Sequence, residues 1–221
     1  MPRFRTVAVA ALAVSAVLLT SSAAYAGDHD FRRHTHFGNG GFGGASEFSN
    51  SMTWGFYNGP LTDLSPSTDD PFDGAKATAT MMGVGGSTFF RVQVRGVDDG
   101  AVGKVYGAHL HQGPCGLAKD QAGVLQPTVG PHYNTSDFDA EKKIYTVIND
   151  QTEVWLDFEV DPFGNARSTA RVPFVPTAGE RSITLHASPT LHHATATAAA
   201  GTAGAKLACL PLEIRTLPES N

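Results

Sequence analysis

Alternation of apolar and polar residues dominates the chain from about Ala75 onwards. Within residues 90–95 every second side chain is apolar, and the same alternation recurs over 153–161 and 167–172. Clusters of Asp, Gly, Pro and Asn separate these runs. A period of two bounded by turn residues indicates β-strands with one buried face. Because no stretch has a helical period with caps, we predict an all-β antiparallel sandwich or barrel.

The N-terminal segment, residues 1–26, differs from the rest of the chain. Arg3 and Arg5 precede an apolar run that ends at Leu19, and small residues follow it. This order is typical of a secretory signal peptide, and the run is short for a membrane span. We therefore expect export to a secreted or periplasmic location with no membrane contact after cleavage. An uncleaved anchor is the alternative.

Three further segments follow the signal peptide. Residues 27–50 contain three histidines and a glycine-rich run without apolar periodicity, which predicts a flexible tail. Residues 51–73 are rich in Pro, Asp, Ser and Thr and predict an irregular lead-in. Residues 74–217 carry the strand pattern and form the predicted β-domain.

The charge balance of the chain is acidic. It has 16 Lys and Arg against 21 Asp and Glu, and removal of Arg3 and Arg5 with the signal peptide changes the formal charge from −5 to −7. Proteins that bind nucleic acid present a basic surface. The composition predicts no such surface and no nucleic-acid partner.

The chain contains two cysteines, Cys115 and Cys209. Export would place both in an oxidising compartment, where disulfides persist. A bond between them would close a long loop and stabilise the fold by up to about 4–5 kcal/mol. We expect this disulfide, and two free thiols are the alternative.

Histidines cluster in the strand pattern. The stretch 107–116, GAHLHQGPCG, carries His109 and His111, and apolar residues alternate with them. Side chains at i and i+2 of a strand share a face, so both imidazoles project together, away from the expected core. His186 has the same phase in its own predicted strand. One histidine alone is typically a satisfied polar residue, but three on such faces indicate a metal site.

A fourth histidine, His132, lies in a predicted loop after Pro131. Neutral imidazoles suit copper, zinc, iron or nickel. Four imidazoles without a thiolate ligand favour Cu(II).

Four fragments of the chain occur in the same order as in copper–zinc superoxide dismutases. They are GAHLHQ, GPHYN, RSITLH and GTAGAKLAC. With a cysteine at both expected places, the chain resembles that family over roughly residues 74–214. The resemblance implies an eight-stranded antiparallel Greek-key β-sandwich or barrel with long metal-site loops. It also implies a copper site that acts on superoxide. A chordin-like domain also has an H-x-H strand, but the second and fourth fragments argue against it.

The resemblance assigns roles to individual residues. The implied copper ligands are His109, His111, His132 and His186. His132 stands where the family histidine bridges copper to zinc and exchanges a proton, so a catalytic role is implied for it. Lys206 falls where the family usually has an arginine lining the anion channel. Cys115 and Cys209 correspond to the family disulfide.

The chain departs from the family in two loops. The family zinc site needs two further histidines and an aspartate, yet residues 133–152 contain no histidine. Carboxylates alone match a histidine-rich zinc site poorly, so we expect copper without zinc. Residues 187–205, where the family has a charged steering loop, contain no Asp, Glu, Lys or Arg.

The N-terminus offers a second candidate metal site. Cleavage after Ala26 would leave Gly27, Asp28 and His29 at the start of the chain. The α-amine, two backbone amides and the His29 imidazole can then surround Cu(II) or Ni(II) in a plane. A polar tail without metal is the alternative.

Two functions are compatible with these features. The first is an exported copper-dependent superoxide dismutase, monomeric or homodimeric, with superoxide and copper ion as its partners. The second is a non-catalytic extracytoplasmic copper-binding or copper-sequestering protein with the same fold. The complete set of copper ligands favours the enzyme. The missing zinc ligands, the neutral loop and Lys206 favour the binding protein.

Overall fold

The computed structural model describes residues 51–66 and 69–217. The predicted signal peptide at 1–26 and the predicted tail at 27–50, with His29, lie outside the described residues. Across the described ranges, no helix is both long and apolar enough to cross a membrane.

The described chain consists of short and long β-strands with one 3-10 turn, Asp99–Ala101. The strands are β1 (Thr53–Pro60), β2 (Thr62–Asp63), β3 (Lys76–Val84), β4 (Ser87–Arg95), β5 (Val105–Tyr106), β6 (Ala108–His111), β7 (Leu117–Lys119), β8 (Leu125–Pro127), β9 (Phe138–Asp139), β10 (Ile144–Tyr145), β11 (Phe158–Glu159), β12 (Asn165–Val172), β13 (Gly179–His186) and β14 (Lys206–Thr216). Their pairings are antiparallel. The predicted all-β antiparallel class is confirmed.

One curled sheet of eight strands organises the fold. Its order is β12-β4-β3-β1-β14-β13-β6, and β2 pairs with β14 beside this path. The chain crosses from β4 to β6 at the far end of the sheet and then returns to β12, next to β4. Such returns beyond the neighbouring strand are the Greek-key arrangement. Three two-stranded sheets, β10-β9, β11-β5 and β7-β8, lie in the connections.

Burial alternates along the strands as the sequence pattern predicts. In β4, Phe90, Val92 and Val94 are fully buried, whereas their neighbours Phe89 and Arg91 are exposed. Burial of one large apolar side chain stabilises a fold by about 1.5–3 kcal/mol. The core contains side chains from strands towards both ends of the sheet order. It includes Phe72, Phe90, Leu110, Leu156, Ile183, Leu185, Leu210, Leu212 and Ile214.

Part of the predicted irregular lead-in, residues 51–73, is a strand. Thr53–Pro60 forms β1 and pairs with β3 over its whole length, so the prediction is wrong for these residues. The glycines, asparagine and proline of this stretch have low strand propensity. Pairing overrides that propensity. On its other side β1 pairs with β14. At Gly55 a Cβ atom would lie 3.1 Å from the side chain of Leu212 in β14, so the small residue lets β1 and β14 pack closely.

Candidate metal centre

The four histidines predicted as ligands come together at one place on the sheet. His109 and His111 belong to β6, and His186 ends β13, which pairs with β6. His132 lies in a loop and forms an isolated antiparallel bridge with His111. One ring nitrogen from each of the four lies within 4.8 Å of the others.

Contact distances identify the nitrogens that face each other. His109 Nδ1 lies 3.0 Å from His132 Nε2. His111 Nε2 lies 3.2 Å from His186 Nε2. The geometry therefore joins a Nδ1 atom from one ring to Nε2 atoms from the other three.

The histidine face is opposite the apolar core, as the alternation predicts, but it is not exposed. His109 and His111 are fully buried and His186 is 3% exposed. His132 retains a 21% exposed side chain, so solvent reaches the cluster at this ring. The alternation gives the face correctly, while loops that cover that face determine the burial.

Two glycines allow the covering loops to approach this closely. A Cβ atom at Gly107 would lie 2.8 Å from the backbone oxygen of Ser188. Gly201 has φ +80°, and its Cβ atom would lie 3.3 Å from Glu153 Oε2. A positive φ favours glycine because it has no Cβ atom. The loop at Gly201 therefore packs directly against Glu153 and His132.

Backbone carbonyls fix the orientation of two rings. His111 Nδ1 lies 2.9 Å from the Gly130 oxygen, and His186 Nδ1 lies 3.2 Å from the Gly204 oxygen. A carbonyl only accepts, so each Nδ1 donates and carries the proton. Both Nε2 atoms therefore present lone pairs to the cluster.

A hydroxyl and a carboxylate fix His109. Its Nε2 donates to Thr190 Oγ1 at 2.6 Å, and that hydroxyl donates to Asp157 Oδ1 at 2.5 Å. Asp157 Oδ2 also accepts the backbone N–H of Thr190 at 2.7 Å. These hydrogen bonds place the proton of His109 on Nε2 and leave Nδ1 with a lone pair.

Glu153 fixes the fourth ring. His132 Nδ1 donates to Glu153 Oε2 at 2.9 Å, and Trp155 Nε1 donates to the same oxygen at 2.9 Å. Asn134 Nδ2 donates to the other oxygen at 3.0 Å. Burial raises the pKa of Glu153, but these hydrogen bonds outweigh it and hold the pKa below its usual range. The carboxylate is therefore ionised at neutral pH, and His132 presents its Nε2 lone pair.

The electrostatics of the cluster keep the buried rings neutral. Burial, together with repulsion from neighbouring imidazoles, lowers the pKa of His111 to about 2 and of His186 to about 4. The same causes lower the pKa of His109 far below its ordinary value. Metal binding needs deprotonated ligands, and these rings meet that requirement at neutral pH.

This donor set fits a metal ion such as copper. Four nitrogen lone pairs converge on one point. Among the described residues, no hydrogen-bond donor occupies the space between the four rings. Neutral imidazole is a ligand for copper, zinc, iron and nickel. Hydrogen bonds on the outer nitrogens of ligating histidines are a regular feature of metal sites, because they fix the tautomer and the ring orientation.

Lys206 lies beside the cluster at the start of β14. Its Nζ donates to the Gly130 oxygen at 3.1 Å, which is the carbonyl that also holds His111. Burial lowers the pKa of Lys206. Its side-chain nitrogen therefore adjoins the histidines and is held at one backbone position.

The two cysteines form a disulfide, as predicted. Cys115 and Cys209 are bonded with a Cα–Cα distance of 5.9 Å. Cys209 is fully buried and packs with Leu64 and Val129. Gly130, which follows Val129, carries the carbonyl that binds His111 and Lys206. The disulfide therefore anchors the segment that orients these two side chains.

The sequence prediction did not identify Glu153, Asp157 or Thr190. A signal existed for the first two, because carboxylates and Trp155 alternate with apolar residues in EVWLDFE. Val154 and Leu156 pair with β6 through backbone hydrogen bonds, so the polar residues share the histidine face. No local pattern marks Thr190, which reaches the site from a loop.

Comparisons with known proteins add a structural likeness. No family model matches the chain, and no curated protein matches it. The solved structure of Cu/Zn superoxide dismutase from Brucella abortus matches 70% of this chain and 97% of its own chain, at 16% identity and a TM-score of 0.49. The antiparallel fold, the four-histidine cluster and the disulfide of this chain agree with the resemblance to copper–zinc superoxide dismutases identified in its sequence.

Proposed function

We propose that this chain is an exported copper-dependent superoxide dismutase. The convergence of four imidazole lone pairs, from His109, His111, His132 and His186, carries the proposal. Copper held there would supply one-electron redox chemistry, by which two superoxide ions and two protons give one dioxygen and one hydrogen peroxide. The remaining requirements, which are attraction of an anion, delivery of protons and retention of the ligands, fall to the protein.

Lys206 meets the first requirement. The chain carries a net charge of −5, which repels an anion at long range, so a local positive charge is needed near the site. Lys206 is the cation that adjoins the histidines, through its contact with Gly130. Its ammonium is a point charge and lacks the planar fork of arginine. We therefore expect it to attract superoxide without orienting it as strictly as an arginine would.

His132 meets the second requirement. It is the ring of the four that solvent reaches, with 21% of its side chain exposed. Its Nδ1 is bound to Glu153, so Nε2 is the atom that would take a proton from water when it is not bound to the metal ion, and would release that proton to a reduced oxygen species as it binds the metal again. Glu153 holds the ring in place through its contact with Nδ1.

Copper without zinc is the metal content we propose. In the described structure Nδ1 of His132 is bound to Glu153 at 2.9 Å. A second metal ion at that nitrogen would have to displace a buried carboxylate from three donors. This arrangement supports a site with one metal ion. The disulfide supports export, because such bonds persist in oxidising compartments.

The test is metal analysis followed by a superoxide-decay assay. Copper-loaded protein should hold one copper per chain and accelerate decay well beyond the His109→Ala/His111→Ala variant. The matched control is His192→Ala/His193→Ala, which removes two exposed histidines outside the cluster and should keep both copper and rate. Stoichiometric copper with decay equal to that of the His109→Ala/His111→Ala variant would reject the enzyme.

The second candidate function is copper binding without catalysis, for sequestration or delivery. One observation favours it: the Lys206 ammonium is half-buried and bound to a backbone oxygen, which reduces the positive charge offered to an anion. The same assay separates the two functions, because only the enzyme accelerates superoxide decay when copper is fully bound.

A further inference from the structure

Four arginines lie on the outer face of two neighbouring strands. Arg91 and Arg95 belong to β4, and Arg167 and Arg171 belong to β12. All four are exposed, on the side of the sheet opposite the core. The acidic composition predicts no basic surface, and that prediction is wrong for this face, because the charges are distributed unevenly over the fold.

Strand register places the four arginines in one row. Each of four successive outward cross-strand pairs contains one arginine, and the arginines alternate between strands. The pairs are Phe89–Arg171, Arg91–Thr169, Gln93–Arg167 and Arg95–Asn165. Outward residues of one strand are about 7 Å apart, so the row carries four positive charges over roughly 20 Å. We call it the arginine row.

Little in the described part of the chain neutralises the arginine row. Strands β3, β4 and β12 contain no Asp or Glu, and the ion pairs found among the described residues involve none of the four arginines. Lys76 lies opposite Arg95 and adds a fifth positive charge. Carboxylates border the face at this end, where Glu159 and Asp161 line a groove with Arg95 and Arg167.

The fold itself does not require this arrangement. Like charges directly opposite each other destabilise a sheet, and Lys76 lies directly opposite Arg95. Charges on an edge strand can prevent pairing with another chain, and β12 ends the sheet order. That role would explain Arg167 and Arg171. It does not explain Arg91 and Arg95, which lie on the inner neighbour β4.

We propose that the arginine row binds a linear acidic polysaccharide that carries carboxylate groups. Guanidinium binds carboxylate through two parallel hydrogen bonds, and a row of charges fits a polymer with regularly repeated charges. The other members of the row are mostly hydrogen-bonding side chains for sugar hydroxyls: Gln93, Asn165 and Thr169. Phe89 is 48% exposed and offers a flat surface to a sugar ring. Binding of single-stranded nucleic acid relies on several aromatic side chains under successive bases, and the row has one.

The experiment titrates the copper-loaded full chain with a polygalacturonate oligosaccharide at low and high salt. Arg91→Gln/Arg167→Gln should weaken binding about 10-fold or more, because two charge-assisted contacts are lost, and should reduce its salt dependence. The matched control, Lys104→Gln/Lys119→Gln, removes the same charge from exposed positions elsewhere and should keep the affinity. Arg91→Lys/Arg167→Lys should fall between the two.

Copper content and the thermal midpoint check that each variant folds, since the arginines lie outside the histidine cluster. Unchanged affinity in Arg91→Gln/Arg167→Gln would overturn the proposal. An equal loss in the lysine control, or tighter binding of single-stranded DNA or anionic vesicles than of the oligosaccharide, would overturn it as well. These outcomes are independent of superoxide decay, so they do not bear on the proposed enzyme.

Discussion

His132 donates its Nδ1 proton to Glu153, whose oxygen lies 2.9 Å away. The carboxylate is 3% exposed in its side chain and also accepts from Trp155 and Asn134. It therefore connects the one solvent-accessible ring of the cluster to a buried hydrogen-bond network. Because the ring's other nitrogen faces the remaining histidines, the position of one carboxylate fixes where the fourth lone pair points.

Removal of this carboxylate should weaken metal binding. We expect Glu153→Ala to reduce copper affinity by about 10- to 100-fold, the usual cost of losing a hydrogen-bond partner of a metal ligand. Glu153→Gln keeps an acceptor for His132 and should lose less. Competition with a chelator of known affinity measures both. Glu159→Gln, an exposed acid in the same segment, is the control and should bind as the wild type does. Equal affinity in Glu153→Ala and the control would contradict the assigned role.

The hydroxyl of Thr190 should position His109 in the same way. Thr190→Val has nearly the same shape but cannot accept from Nε2 at the observed 2.6 Å, and it leaves Asp157 without its hydroxyl donor. We expect about 10-fold weaker copper binding and a changed copper(II) spectrum by electron paramagnetic resonance. Thr190→Ser retains the hydroxyl and should restore both. A serine variant as weak as the valine variant would indicate that packing, and not the hydrogen bond, matters.

Lys206 should control the rate through charge. If it attracts superoxide, Lys206→Ala should slow copper-dependent decay by about 2- to 10-fold at low salt, and the wild-type rate should fall as salt rises. Lys206→Arg should raise the rate, because arginine keeps its charge and adds a bidentate donor. Rates per bound copper, measured across ionic strengths, test this. Rates that are equal in all three proteins would show that the lysine serves only to hold Gly130.

The sequence predicts much of the scaffold because each strand with one buried face leaves a period of two. It identifies β4, β12 and β13 and gives the correct face to the histidines of β6. It fails at β1, where two glycines, an asparagine and a proline interrupt the strand-forming residues and pairing with β3 holds the segment in the sheet. It also fails to predict the burial of His109 and His111, since that depends on loops distant in sequence.

Residues that orient the ligands are less predictable than the ligands themselves. A metal requires a restricted set of side chains, so four histidines are conspicuous. The group that holds a histidine's second nitrogen can be a carboxylate, a hydroxyl or a backbone oxygen, and all three occur here. Only tertiary structure selects among them. The arginine row is a similar case, because register between β4 and β12 aligns residues about 75 positions apart.

The metal-free protein should lose stability as pH falls. The pKa of His186 is lowered to about 4 in the fold, against an ordinary value near 6.5. Between these values the unfolded chain binds a proton that the folded chain does not, so stability rises with pH there. The full stability is present above about pH 6.5 and is lost as pH falls towards 4, by on the order of 3 kcal/mol for this ring.

Urea unfolding of the metal-free protein at pH 7, 5.5 and 4.5 measures this dependence. His186→Asn removes the titrating ring, so its midpoint should change less with pH than that of the wild type. His193→Ala, at an exposed position, should follow the wild type. An identical pH dependence in His186→Asn and the wild type would show that this ring is not responsible.

The disulfide should affect stability and metal binding together. Cys115→Ser/Cys209→Ser opens a loop of 94 residues in sequence separation, and we expect a loss of about 2–5 kcal/mol in the free energy of unfolding. The segment that bears Gly130 would also lose its anchor to β14. Because Gly130 orients His111 and Lys206, copper affinity should fall as well. Unfolding of the copper-loaded and metal-free forms separates the effects. The copper-dependent gain in stability should be smaller in the variant, and an unchanged gain would show that Gly130 is held without the disulfide.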